Sequence, residues 1–171
     1  MFGTVGRKLM NRARIATIGV LPLALLLASC GSDTVEMTDS TWLVTNIYTD
    51  PDESNSISNL VISQPSLDFG NSSLSGFTGC VPFTGRAEFF QNGEQSSVLD
   101  ADYVTLSSLD FDKLPDDCQG QELKVHNELV DLLPGSFEIS RTSGSEILLT
   151  SDVDELDRPA IRLVSWIAPT S

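Results

Sequence analysis

The chain has 171 residues, of which 10 are Lys or Arg and 24 are Asp or Glu, giving a net charge of −14 at pH 7. This length accommodates one domain or two very small ones, and a hydrophobic fraction of 40% is compatible with a packed core. The acidic balance argues against a nucleic-acid partner and against electrostatic binding to anionic lipid, because both need a basic surface. One His and three Cys leave little room for a His/Cys metal site, and we expect no metal or cofactor.

The N-terminal segment has the three parts of a secretory signal. Residues 1–14 carry four basic and no acidic side chains, residues 15–27 are almost wholly apolar, and small residues follow. The apolar stretch is shorter than the about 20 residues that a membrane-spanning helix needs. The segment Leu27-Ala28-Ser29-Cys30 resembles the bacterial lipobox, which implies cleavage before Cys30 and lipid, palmitate included, on that residue. The alternatives are an ordinary signal peptide that ends near a Cys, or an uncleaved anchor.

This interpretation predicts the domain organisation and the location. Residues 1–29 would be a lipoprotein signal peptide, residues 30–40 the lipidated Cys and a flexible tether, and residues 41–168 the folded domain. The mature chain would keep six basic and 24 acidic residues, a net charge of −18 that favours solubility. We expect a monomer held at the bacterial cell membrane through Cys30, outside the cytoplasm, with another envelope protein as a candidate partner.

Two cysteines remain once Cys30 is acylated. Cys80 and Cys118 are separated by 38 positions, and disulfides persist outside the cytoplasmic membrane. We therefore expect a structural disulfide between them. A redox-active pair is the alternative, but such pairs are more often close in sequence, as in Cys-x-x-Cys.

Short strand-like segments separated by turn formers make up most of the remaining chain. The stretch 74–90 is also strand-like, and its glycines indicate bulges or close backbone approaches. Turns are predicted at Gly70-Asn71, Asn92-Gly93 and Ser143-Gly144. The predicted strands are residues 42–48, 60–62, 66–69, 103–109, 137–141, 146–150 and 160–166.

The hydrophobic spacing changes between Asp116 and Leu133. Apolar residues there recur at three- and four-residue intervals, which predicts one amphipathic helix that acidic residues begin and Pro134-Gly135 ends. The pattern predicts a mostly β (α+β) domain: an antiparallel curled sheet or barrel of about eight short strands, with one amphipathic helix packed on it. Curling or closure would remove exposed sheet edges.

This order of parts resembles the META domain family of bacterial envelope proteins, which a heat-inducible lipoprotein typifies. The resemblance rests on a glycine-cysteine motif, an early Trp42-Leu43-Val44, a second Cys at the start of a helix, and the late strands. Val81 stands where the family has Asn, and His126 where its helix has an acid. The resemblance implies a compact β-rich fold with a packed helix and no catalytic mechanism. The motif residues are Ser75, Gly76, Gly79, Cys80, Phe83 and Gly85.

Other candidate sites are weaker. His126 is the sole imidazole, so any Ser/His/Asp or Cys/His site would need it, but we expect a packed or surface helix residue. The acidic loops 50–53 and 152–157 resemble parts of calcium loops. An EF-hand loop that began at Asp152 would need Gly and Glu where Asp157 and Leu163 stand, so solvated turns are favoured.

Three functions stay open from the sequence. The first is a non-catalytic, lipid-anchored envelope protein that binds a partner or acts in an envelope stress response. The second is an inhibitor or ligand-binding module that uses loops 49–58 or 92–102. The third is a hydrolase that uses paired carboxylates and His126. It is the weakest candidate, because 24 acidic residues make chance pairs of carboxylates common.

Overall fold

Nine antiparallel strands and one α-helix make up the part of the chain that the structure, a computed structural model, describes: residues 35–49, 56–57, 63–154 and 156–166. The strand predicted at 60–62 and most of loop 49–58 lie outside the described residues. The elements are a 3-10 helix Met37–Asp39, β1 Thr41–Tyr48, β2 Ser66–Phe69, β3 Ser73–Phe77, β4 Pro82–Gln91, β5 Glu94–Gln95, β6 Tyr103–Phe111, α1 Gly120–Leu132, β7 Gly135–Ser143, β8 Glu146–Ser151 and β9 Ala160–Trp166.

Eight of the nine strands form a closed barrel. Neighbouring strands pair in the order β3-β2-β1-β9-β8-β7-β6-β4, and an additional pairing between β3 and β4 closes the ring. Strand β5 folds back on β4 through Asn92-Gly93, where both residues have positive φ angles as expected for this turn. The predicted mostly β fold with one packed helix is confirmed, and the closed barrel is the form it takes.

Side chains alternate between the barrel interior and its surface, and bulges reset the alternation. In β1 the buried residues are Trp42, Val44 and then Ile47, because Thr45 is an extra residue between two paired positions. Every long strand and α1 contribute buried apolar residues to one cluster. An eight-stranded barrel is just wide enough for side chains to fill it, so the interior is a packed core.

The ordered barrel begins before the predicted boundary at residue 41. Residues 35–40, which the sequence assigned to a flexible tether, pack on the barrel. Met37 is buried in the core, and its carbonyl oxygen accepts a hydrogen bond of 3.0 Å from the Trp42 indole nitrogen. The Val35 N–H donates to the carbonyl oxygen of Gly144 in the β7–β8 turn, at 2.7 Å. The apolar Met37 within a mostly polar stretch was the sequence signal that could have indicated that this segment packs on the barrel.

The helix is shorter than predicted at its start. It runs from Gly120 to Leu132, whereas the predicted start at Asp116 falls in a turn in which the Cys118 N–H donates to the Pro115 carbonyl oxygen at 3.2 Å. Asp116 and Asp117 therefore precede the helix, and Glu122 is the acid in its first turn.

The connections between strands gather at two ends of the barrel. One end, called here the N-terminal end, holds the 3-10 helix, the β7–β8 turn, the loop 96–102 and the last residue of β9, Trp166, which pairs with Thr41. The opposite end, called the helix end, holds the β3–β4 turn, α1 and the β8–β9 loop.

Candidate functional site

The glycine-cysteine motif forms the β3–β4 hairpin, in which Gly76 pairs with Phe83 and Ser75 with Thr84. A side chain at position 76 would collide with the Ser66 carbonyl oxygen and the Phe83 ring, so this glycine permits a close backbone approach.

Glycine is required at position 85 for a different reason. It lies opposite a bulge in β6, where Ser108 has a positive φ angle, and a side chain at position 85 would collide with that of Leu109. The predicted association of the strand glycines with bulges and close approaches is thus confirmed at Gly76 and Gly85.

A fully buried threonine organises the turn of this hairpin. The Thr78 N–H donates to the Val81 carbonyl oxygen at 2.9 Å, and the Thr78 hydroxyl accepts from the N–H groups of Cys80 and Val81 at 3.3 and 3.1 Å. Gly79 has a φ angle of +98°, which is favourable for glycine. The resemblance described from the sequence assigned no role to Thr78, because this residue occupies a variable position of the motif.

The hairpin turn is tied to the helix at two points. Cys80 and Cys118 form a disulfide with a Cα–Cα distance of 5.7 Å, which fixes the turn to the segment just before α1. His126 Nδ1, in the middle of α1, lies 2.8 Å from Thr78 Oγ1. The motif residues therefore brace the helix against the barrel.

His126 is placed for packing more than for catalysis. Only 8% of its surface is exposed, and one ring nitrogen is engaged by Thr78. Burial lowers the pKa of His126 below the usual value near 6.5, because the charged imidazolium is poorly solvated there. The neutral form is therefore favoured at pH 7. Of the two sequence alternatives, the structure favours a packed histidine.

The acidic loop around Asp152 is engaged by protein groups. Burial is the largest cause that raises the pKa of the Tyr103 hydroxyl, and a hydrogen bond to Asp152 is the next largest. No three His, Cys, Asp or Glu side chains within the described residues are placed to hold a metal ion. Asp50 to Glu53, the other acidic loop, lies outside those residues.

One of the two candidate binding loops is held by an arginine. The Arg141 guanidinium donates to the carbonyl oxygens of Ala101 at 2.9 Å and Val98 at 3.1 Å. Such charge-assisted bonds restrain the loop 96–102. Arg141 was not singled out from the sequence, since an arginine at the end of a strand is common.

A groove on the outer face of β1, β9, β8 and β7 was not predicted. It has a volume of about 400 Å³. Its lining residues come from four adjacent strands and, for Arg158, from the β8–β9 loop, and sequence alone does not show which strands are adjacent. The lining residues are Tyr48, Thr142, Glu146, Leu148, Thr150, Arg158, Ala160 and Arg162.

Ion pairs border this groove. Arg162 makes a bidentate contact with Glu146, with distances of 3.0 and 2.7 Å, and Arg158 lies 3.2 Å from Glu138. The hydrogen bonds from Arg162 and Thr142 hold the pKa of Glu146 below its usual value. Arg158, with its single carboxylate contact, is the more available of the two groove cations.

Comparisons with known proteins bear on the fold. No family model matches the chain, and no curated protein matches it in sequence. The fold is similar to the NMR structure of the protein from Burkholderia xenovorans, with a TM-score of 0.56 and 12% sequence identity. The similar region covers 77% of this chain and 85% of that one. At this identity the likeness shows the fold alone.

Cys30 lies outside the described residues. Among the helices that the structure describes, none is long and apolar enough to cross a membrane.

Proposed function

We propose that this protein is a lipid-anchored component of a bacterial cell envelope, with a META-like barrel that binds another envelope component or acts under envelope stress. The observation that carries the proposal is the segment Leu27 to Cys30, which follows a basic start and an apolar stretch and ends in a cysteine. Two or more acyl chains on that cysteine would anchor the domain stably, since each buried methylene contributes about 0.8 kcal/mol.

One structural feature and one feature of the composition support a location outside the cytoplasm. The Cys80–Cys118 disulfide belongs to a compartment where thiols oxidise. The strongly acidic composition of the chain after residue 29 suits a domain that stays in solution beside the membrane. The motif resemblance to META domains adds an envelope setting, although no family model matches.

Mass spectrometry of the protein expressed in a bacterium tests the anchor. We expect the membrane fraction to contain a form that lacks residues 1–29 and carries acyl chains on Cys30. Cys30→Ala should abolish the acyl mass and release or misprocess the protein. Ser29→Ala is the matched control, because it keeps a small residue before the cysteine and should be processed normally. An unchanged mass and location for Cys30→Ala would refute the proposal.

The proposed role is non-catalytic. His126 is buried and bonded to Thr78, which makes it a poor general base. Broad substrate screening of the purified protein tests this point, and a turnover that disappears in His126→Gln would contradict it. An interaction role is tested by crosslinking in cells and mass spectrometry of the captured proteins. One reproducible partner that the Cys30→Ala protein loses would support it, whereas a screen without any enriched partner would count against it.

A ligand-binding module is the second candidate, and the groove is the observation that favours it. Leu148 and Tyr48 line it and suit an apolar body, while Arg158, which also lines it, suits a carboxylate or another acidic group. Ligand-observed NMR with a library of small carboxylic acids tests this candidate. Binding should be lost in Leu148→Glu and retained in Leu114→Glu, where the same change is made at an exposed leucine that does not line the groove.

A further inference from the structure

The position where the described chain begins restricts how the barrel can lie at a membrane. Val35 is bonded to Gly144 at the N-terminal end of the barrel. Five peptide units separate it from Cys30, the residue proposed to carry the lipid. A chain of that length spans at most about 18 Å when fully extended. The N-terminal end of the barrel must therefore stay within this distance of the lipid attachment point.

The barrel is too tall for the opposite end to reach the same surface. Strand β1 has eight residues, which extend about 26 Å at 3.3 Å per residue, or about 20 Å along the axis of a barrel with tilted strands. Helix α1 and the β8–β9 loop lie beyond that height. With Val35 in place, the linker is too short for the helix end to contact the bilayer.

The N-terminal end presents two large apolar side chains to solvent. Trp166, at the last position of β9, is 56% exposed, and Leu99 is 54% exposed. Leu99 borders a cavity of about 210 Å³ that Val35 and Met37 also line. Tryptophan is enriched at the boundary between lipid and water because its ring is apolar and its N–H is polar.

Charge does not draw this end to the membrane. Glu36, Asp100 and Asp102 lie there, and the guanidinium of the nearby Arg141 is occupied by loop carbonyl groups. Contact with lipid would therefore depend on the anchor and on the apolar side chains, and it should not need anionic lipid. The helix end also exposes apolar residues, including Leu156, so the linker length and not exposure alone selects the end.

We propose that the N-terminal end of the barrel is seated on the bilayer that holds Cys30, with Trp166 and Leu99 entering the interface. The helix end, with the disulfide-braced hairpin, then faces away from the membrane towards partners. This inference rests on the proposed lipidation of Cys30. It assigns a lipid-contacting surface to residues that no motif indicates.

Tryptophan fluorescence tests this orientation, because the chain has two tryptophans and they differ strongly in exposure. Trp42 is 1% exposed in the core, whereas Trp166 is at the proposed contact. The acylated full protein is inserted in phosphatidylcholine vesicles with brominated acyl chains, which quench only nearby tryptophans, and in unbrominated vesicles. We expect bromination to remove most of the emission that Trp166 contributes. In Trp166→Phe, bromination should quench the emission of Trp42 much less, because this side chain is buried in the core.

A third protein reports on the helix end. Leu156, which is 99% exposed in the β8–β9 loop, is changed to Trp in the Trp166→Phe background. We expect no quenching of the introduced tryptophan. Quenching at that position, or none of Trp166 in acylated protein that floats with the vesicles, would overturn the orientation alone. A protein without acyl mass on Cys30 would instead refute the proposed function, and the orientation with it.

Discussion

The hydroxyl of Thr78 should be the most sensitive polar group in the braced hairpin. Thr78→Val keeps the size and branching of the side chain but removes its oxygen. The N–H groups of Cys80 and Val81 and the Nδ1 atom of His126 then lose their partner within a buried site. The bond between the Thr78 N–H and the Val81 carbonyl oxygen should remain, so the turn is weakened but not removed.

The magnitude follows from the three groups that lose their partner. The Val81 carbonyl oxygen, which also lies 3.2 Å from the hydroxyl, keeps its bond from the Thr78 N–H. A typical hydrogen bond contributes about 1 kcal/mol net, and a buried group left without a partner costs about 1–3 kcal/mol. The contact from Cys80 is long, at 3.3 Å, and only part-buried, so it should contribute least. The contacts from Val81 and His126 are buried and shorter. We expect Thr78→Val to lower the free energy of unfolding by about 3 kcal/mol.

Urea unfolding monitored by far-ultraviolet circular dichroism measures this loss. A domain of this size loses about 1.5–2 kcal/mol of stability per molar urea, so the midpoint should fall by about 1.5–2 M. Thr78→Ser is the matched control, because it keeps the hydroxyl and removes one methyl group. We expect it to shift the midpoint by less than half as much. Equal effects of the two substitutions would show that packing, and not the hydroxyl, accounts for the role of Thr78.

Three further predictions concern the brace and the ion pair beside the groove. Replacing Cys80 and Cys118 together by Ala should cost about 4 kcal/mol, as the chain-entropy model gives for a loop of 38 residues, measured by urea unfolding. Burial lowers the pKa of His126 in the folded protein, so the unfolded chain takes up a proton at a higher pH than the folded one does. The neutral, buried His126 therefore contributes fully to stability above the unfolded pKa near 6.5. This contribution decreases as the pH falls below that value. His126→Gln should therefore flatten the change in urea midpoint between pH 7.5 and 5.5; an unchanged slope would show that other groups cause it. A double-mutant cycle on Glu146 and Arg162 should give a small favourable coupling that added salt reduces, since the arginine is exposed to solvent.

Much of the fold could be predicted because short-range signals and the final topology agree. Asn92-Gly93 forms the turn that such a pair favours, and Trp42 to Tyr48 is a strand with a buried face. The closed barrel was one of two predicted forms. Which strands pair is a long-range property: β1 meets β9, at the other end of the chain, and no local pattern states this.

The errors at boundaries have a common cause. The segment 35–40 is polar in composition, yet one apolar residue, Met37, enters the core and holds it on the barrel. The acids at 116 and 117 suit a helix start, but the disulfide at Cys118 and the turn at Pro115 delay the helix to Gly120. In both cases a tertiary contact overrides local composition.

The site was predicted in part for a similar reason. The motif residues were identified from the sequence, but the residue that joins them to the helix, Thr78, occupies a position that the motif leaves open. The outer groove could not be found, because its residues come from both ends of the chain and meet only when β8 and β9 pair with β7 and β1.

The brace also accounts for the two positions at which this chain departs from the motif that it resembles. Val81 stands where the resembled motif has a polar residue, and its side chain is buried while its N–H bonds to Thr78. His126 stands where the resembled helix has an acid, and it supplies a neutral partner for the same hydroxyl. A buried carboxylate at position 126 would need a donor or a proton in that environment. The motif positions in this chain thus serve the docking of the helix.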